Sequence, residues 1–253
     1  RILSAAAVLA LSASLLVGCS SGTASSVPVS ASSAAESTVS SVEETASSAV
    51  DENEAAAAQL LNDLTGSYQE LWPVILADEY KQTWLDDCTA LVGEDNAEAA
   101  FEKLSSMVTG DVYGEDAVKA YANGGGAYFC GFTNSLATLT FDGETSTISG
   151  TDKDGNVLFS HTYHYIGMEP VHGLYEFESD DGNSGEFTYF FLAPDTSAET
   201  YHIEFRYGSD AEALSQYDAG EYAYWVASGI STDCDQTMID NCIELFCTEN
   251  LAG

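Results

Sequence analysis

Residues 136–166, LATLTFDGETSTISGTDKDGNVLFSHTYHYI, decide the fold of this 253-residue chain. Three of their segments alternate apolar and polar side chains, the pattern of half-buried β-strands: Leu136–Phe141, Glu144–Ser149 and Val157–Ile166. Between them lie Asp142-Gly143 and Asp154-Gly155-Asn156, which favour the tight turns of β-hairpins. The stretch therefore predicts neighbouring antiparallel strands.

The alternation continues on both sides of this stretch. Four further segments share it: Ala127–Thr133, Leu174–Glu178, Glu186–Leu192 and Tyr201–Tyr207. A meander of seven strands either leaves long exposed edges or closes on itself, and closure removes the edges. We therefore predict an antiparallel β-barrel.

Helical spacing flanks the predicted strands. Apolar residues recur at three- and four-residue steps between Asn62 and Tyr121, and again in Ser209–Gln216 and Asp235–Thr248. Pro73 is expected in the first turn of a helix. The fold class predicted for residues 59–253 is mainly β, a barrel with additional α-helices at both ends of the domain.

The first 58 residues are not predicted to belong to that domain. Residues 1–19, RILSAAAVLALSASLLVGC, are too short and too rich in small residues for a stable transmembrane helix, so we interpret them as an export signal. Residues 20–58 are mainly Ser, Ala, Val, Thr and Glu, which predicts a disordered tether. The Ala and Leu content of Ala55–Leu64 could instead let the first helix begin there.

The end of the export signal resembles the lipobox of bacterial lipoproteins, whose cysteine is lipidated. This resemblance implies a lipid anchor on Cys19 and an extracytoplasmic protein attached to the bacterial cell membrane. An ordinary cleaved leader with an incidental Cys19 would change the anchoring but not the compartment.

Composition and cysteine spacing restrict the classes of function that this chain can have. With 41 acidic and 6 basic residues, the formal net charge is −35, which repels phosphate backbones and makes a nucleic-acid partner very unfavourable. Five cysteines follow Cys19, and in an exported chain they suggest structural disulfides, although an odd number leaves one thiol over. The last three, Cys234, Cys242 and Cys247, match no zinc-ribbon spacing.

The order of several segments resembles the ZinT (YodA) family of bacterial periplasmic zinc-binding proteins. The matching segments are 64–73 (LTGSYQELWP), which is similar to the opening helix of the family, then 163–167 (YHYIG), 173–178 (GLYEFE), 192–195 (LAPD), 201–205 (YHIEF) and 208–210 (GSD). The resemblance implies a lipocalin-like (calycin) barrel that binds zinc, and a link to a metal ABC importer.

This chain departs from the family at the zinc ligands. Carried over by position, the three histidines of the family fall on Phe190, Thr200 and His202, so one imidazole remains. Strand alternation places His202, Glu204 and Arg206 on one face of the last predicted strand, opposite an apolar face. If the polar face looks into the barrel mouth, His202 and Glu204 could join a histidine of the meander in a mixed zinc site: His161, His164 or His172. His161 and His164 point to opposite sides of their strand, so they cannot share one ion unless a bulge intervenes.

Two functions follow as hypotheses. The first is a membrane-anchored lipoprotein that binds or buffers a divalent metal, zinc by resemblance, at His202 and Glu204. The alternative is a metal-independent binding module for a small apolar or carbohydrate ligand or a surface protein, with a cup lined by Tyr163, Tyr165, Phe190, Tyr222, Tyr224 and Trp225. We do not expect an enzyme, because no motif arranges a nucleophile with a base or pairs two carboxylates.

Overall fold

A computed structural model describes residues 52–194 and 202–252. The predicted leader, Cys19 and the tether up to residue 51 lie outside the described residues. Residues 52–63 form helix α1, and Ala57 of this helix is fully buried. The tether therefore does not extend to residue 58: the first helix starts earlier, as the Ala and Leu content of this region allows, because that helix buries Ala57 and Leu60 in the core.

Eight strands and seven α-helices make up the described part of the chain. The strands are β1 (Gly66–Glu70), β2 (Thr138–Asp142), β3 (Thr147–Thr151), β4 (Val157–Met168), β5 (Tyr175–Ser179), β6 (Tyr189–Leu192), β7 (His202–Gly208) and β8 (Ala227–Ser231). After α1, the helices are α2 (Leu71–Ile75), α3 (Lys81–Val92), α4 (Glu94–Met107), α5 (Glu115–Ala122), α6 (Ala211–Leu214) and α7 (Gln236–Leu251). Within these described residues, no helix is both long and apolar enough to cross a membrane.

The strands form a closed antiparallel barrel in chain order. Each strand pairs with the next, and β1 closes the ring by pairing with β8, with Tyr68 opposite Ser231 and Glu70 opposite Gly229. The turn at Gly143 lies so close to α1 that a Cβ there would come within 2.4 Å of the Cα of Asn62, which only glycine avoids. The predicted fold class, a barrel with additional helices on both sides of it in the chain, is confirmed.

One predicted strand is absent from the residues that the structure describes, and two strands of the structure were not predicted. Ala127–Thr133 is not a strand: within it Phe129 makes isolated bridges to Thr109 and Trp225. Conversely, β1 lies inside the region predicted to be helical, and the opening segment 64–73 is a strand followed by α2 rather than one helix. Strand β8 lies between two predicted helices. Both missed strands have only five residues and gain their stability from pairing with each other across the barrel seam.

Aromatic rings fill the barrel interior. Phe190 has no exposed surface, and its ring lies 5.4 Å from the rings of Tyr163 and Tyr207, measured between centroids. Tyr222 and Trp225, which we expected to line a ligand cup, are also buried, with their ring centroids 6.0 Å apart. A ligand in this part of the barrel would have to displace core side chains, which costs stability.

A second apolar core lies outside the barrel, between its wall and the helices. Trp72 and Ile75 of α2, Trp84 of α3 and Ile243 of α7 are buried there against Ile230 of β8. Pro73 lies in the first turn of α2, as predicted. Asp235 caps α7 by accepting a hydrogen bond from the backbone N–H of Met238 at 3.0 Å, which explains where this helix begins.

The cysteines correct the expectation of structural disulfides. All five that follow Cys19 are thiols rather than disulfide partners in the described part of the chain. The sulfurs of Cys88 in α3 and Cys247 in α7 lie 3.9 Å apart, about twice the S–S length of a disulfide. Both side chains are fully buried, so this pair acts as apolar packing between the two helices.

Candidate metal site

Strand β7 divides its side chains between two environments. Ile203, Phe205 and Tyr207 belong to the barrel core, as the predicted alternation requires. His202 and Glu204 therefore point outward, with Arg206. The pairing of β7 with β8 agrees with this orientation. His202 lies opposite Ile230, which packs in the second apolar core, outside the barrel. The condition for a mixed site with a histidine of the meander, that this face looks into the barrel mouth, is not met, because His202 and Glu204 face the helical layer.

His202 and Glu204 line a cleft between β7 and two helices. Its other walls come from Leu71, Trp72 and Ile75 of α2, and from Cys242, Leu245, Phe246 and Glu249 of α7. The free volume is about 30 Å³, room for about two water molecules. The cleft is thus large enough for an ion with its bound water.

Burial sets the protonation state of His202. Desolvation lowers the pKa of its imidazole from 6.5 to about 4. The ring is therefore neutral at pH 7, and a neutral ring nitrogen is the form that binds a metal ion. His202 is ready to act as a ligand without first losing a proton.

The donor types around the cleft fit zinc, but they are not yet gathered around one point. Imidazole nitrogen, thiol sulfur and carboxylate oxygen are the ligands of zinc sites, and His202, Cys242, Glu204 and Glu249 supply them. Among residues 52–194 and 202–252, however, no three His, Cys, Asp or Glu side chains already stand in a metal-holding arrangement. Binding would require side-chain rotation, for which the exposed Glu249 has room.

The other three histidines do not join His202. His161 and His164 of β4 bond to Asp181 and Asp180 at 2.6 Å and 2.8 Å. The Nδ1 atom of His172 lies 3.5 Å from a carboxylate oxygen of Glu169. Each thus has its own carboxylate neighbour, and none of the three lines the cleft of His202. His161 and His164 lie on β4, which two strands of the barrel separate from β7. His172 follows β4, and its ring lies 3.8 Å from that of Tyr217, so the described residues do not form the predicted mixed site.

Phe190 does not occupy a place in this cleft either. It pairs with Tyr207 and points into the barrel, whereas His202 points out. The position-by-position transfer of the family ligands therefore puts Phe190 and His202 on opposite faces of the sheet. Thr200, the remaining transferred position, lies outside the described residues.

The domain is similar to a ZinT-like domain of known structure. The Zn(II)-bound ZinT-like domain of Streptococcus pneumoniae AdcA matches with a TM-score of 0.46 and 15% identity, over 73% of this chain and 89% of that one. Zn(II)-bound AdcA from the same organism matches with a TM-score of 0.43 and 14% identity, over 74% of this chain and 35% of that one. No protein-family model and no curated protein matches the chain.

Sequence reasoning missed Cys242 and Glu249. They are seven residues apart, so two helical turns bring them to the same side of α7, and this spacing is readable in the sequence. Which strand that side faces is not readable there. The contact between α7 and β7 arises only when the barrel closes and the last helix packs on its outer wall.

The lowered pKa of His202 predicts acid-dependent stability. The unfolded imidazole binds a proton below about pH 6.5 and the folded one only below about pH 4. This contribution to the free energy of unfolding is therefore complete above pH 6.5 and is lost as the pH falls to 4, by up to about 3 kcal/mol. Urea denaturation at several pH values measures it, and His202→Gln should flatten the curve. Equal pH slopes for the two proteins would contradict the prediction.

Proposed function

We propose that this chain is an extracytoplasmic lipoprotein, anchored to the bacterial membrane through Cys19, whose barrel domain binds zinc at His202 and Glu204. One observation carries the metal-binding part. Both side chains leave the outer face of β7 and enter a cleft that α2 and α7 close. The imidazole of His202 and the carboxylate of Glu204 are both zinc ligands, the first uncharged and the second anionic.

The proposed site is weaker than a preformed one. Because side chains must rotate to surround the ion, part of the interaction energy is spent on ordering them. A reversible site of this kind suits a protein that buffers an ion or passes it on. The Zn(II)-bound state of the similar AdcA domain supports zinc as the ion.

The surroundings of the cleft also favour a cation. The net charge of −35 raises the local concentration of divalent ions without selecting among them. Selection then depends on the donors of the cleft. In this proposal the lipid anchor keeps the domain at the membrane, where a metal ABC importer could receive the ion.

Calorimetric titration of the purified protein with zinc at 150 mM salt tests the proposal. We expect one saturable site, and His202→Ala should raise its Kd at least about 100-fold, because even groups that only support a ligand are worth about 10- to 100-fold. The matched control is His164→Ala, which removes a half-exposed imidazole from β4 outside the cleft. It should leave the Kd unchanged. No heat from the unaltered protein, or equal affinity after His202→Ala, would refute zinc binding at this cleft.

A further inference from the structure

We infer that Cys242 is the third ligand of the metal and binds it as a thiolate, an inference that rests on the proposed function of the same cleft. Cys242 is 4% exposed and lines, from α7, the same cleft that His202 and Glu204 line from β7. Glu249 lies two turns further along the same side of α7 and is exposed at the rim. One strand and one helix thus each present two donors to a common space.

This donor set differs from an all-histidine site in the metal ions that it prefers. Thiolate sulfur is a soft ligand, so it favours Zn²⁺ and Cd²⁺ over Mn²⁺, Mg²⁺ and Ca²⁺. His202 with Cys242 and a carboxylate makes a mixed N, S and O set that suits tetrahedral zinc. The site would therefore reject the hard divalent ions that the acidic surface attracts equally well.

The indole of Trp72 also lines the cleft, and the residue is 8% exposed. Its side chain interacts with the thiol of Cys130 and opposes the rise in the pKa of that thiol that burial causes. The indole N–H is therefore directed toward Cys130 rather than toward a ligand of the metal.

Cys130 is close by but is not the proposed ligand. Burial raises the pKa of its thiol, with the nearby carboxylate of Glu204 acting in the same direction. It is also not among the residues that line the cleft. Cys130 therefore remains a buried thiol beside the site.

The binding step balances without any redox change. The S–H bond of Cys242 breaks, its proton goes to solvent and a metal–sulfur bond forms, so binding as a thiolate releases one proton from this side chain. Zinc titrations in two buffers of different ionisation enthalpy count this proton.

Titration of the full chain with Co²⁺ or Cd²⁺ tests the inference directly, because sulfur-to-metal charge transfer gives near-ultraviolet absorption that nitrogen and oxygen ligands do not. We expect this band in the unaltered protein and its loss in Cys242→Ser, with zinc affinity lowered about 10- to 100-fold. The matched control is Cys247→Ser, the same change on the same helix, at a sulfur that contacts Cys88 instead. It should keep the band.

The possible outcomes distinguish a failure of the thiolate inference from a failure of the proposed zinc-binding function. Zinc heat without a charge-transfer band, or a band that survives Cys242→Ser, overturns the thiolate ligand and leaves zinc binding at His202 standing. No zinc heat at all refutes the proposed function itself. Should Cys242→Ser fail to fold, alkylation of the unaltered protein decides: zinc must protect Cys242, identified by peptide mapping, from iodoacetamide, and absence of protection overturns the inference.

Discussion

Replacing Arg206 by alanine is expected to destabilise the domain by about 4 kcal/mol. This guanidinium has no exposed surface, and burial lowers its pKa. It donates hydrogen bonds to the carbonyl oxygens of Leu214, Gln216 and Tyr222, and its Cζ lies 4.2 Å from the ring centroid of Tyr217. It thereby fixes the segment that follows α6 onto the outer wall of the barrel. Alanine leaves these carbonyls without their donor and opens a cavity.

Urea denaturation measures this loss of stability, and two further variants serve as comparisons. Arg206→Lys keeps the charge but not the planar fork that reaches several carbonyls at once, so it should recover only part of the stability. Lys153→Ala removes another basic residue, one that pairs with Asp154 at 2.8 Å on the surface. It should change the free energy of unfolding by less than about 1 kcal/mol. A loss below about 1 kcal/mol for Arg206→Ala would show that the buried fork is not structural.

Trp84→Ala is expected to cost a similar amount, about 3 to 5 kcal/mol. Trp84 is fully buried in α3, where its indole N–H donates to the carbonyl oxygen of Ile75 at 2.7 Å. Its ring lies 5.7 Å from Phe101 of α4 and 6.0 Å from Phe246 of α7, between centroids. One side chain thus joins four helices, and Phe246 also lines the cleft. We therefore expect zinc affinity to fall with stability.

The conservative variant separates packing from the hydrogen bond. Trp84→Phe retains most of the ring volume and loses the bond to Ile75, so we expect a cost of about 1 to 2 kcal/mol. Unfolding followed by circular dichroism, with calorimetry on the folded protein, measures both effects. If Trp84→Ala unfolds at the same urea concentration as the unaltered protein, the outer core does not depend on this ring.

The sequence specified the central meander because its signals are local. Strands β2 to β5 follow from alternation and from turns such as Asp142-Gly143, where neighbouring residues pair with each other. The seam strands β1 and β8 carry no comparable signal. Gly66–Glu70 and Ala227–Ser231 become strands because each finds its partner about 160 residues away in the chain. That long-range pairing is invisible to any short window of sequence.

The candidate site, too, could be predicted from the sequence only in part. The two-residue period of a strand was enough to put His202 and Glu204 on one face and Ile203 and Phe205 on the other. It could not say which face was inside. The apolar face filled the barrel, so the polar one met α2 and α7 and gained Cys242 and Glu249 as neighbours.

By itself the sequence determined the strand meander, the acidic surface and the alternation that pairs His202 with Glu204, because these depend on residues close together in the chain. Only the tertiary structure decided that the barrel interior is filled and that His202 and Glu204 line a cleft on its outside. The physical reason is that closing the barrel buries the larger apolar face, and this leaves the polar face of β7 to be covered by a helix from the far end of the chain.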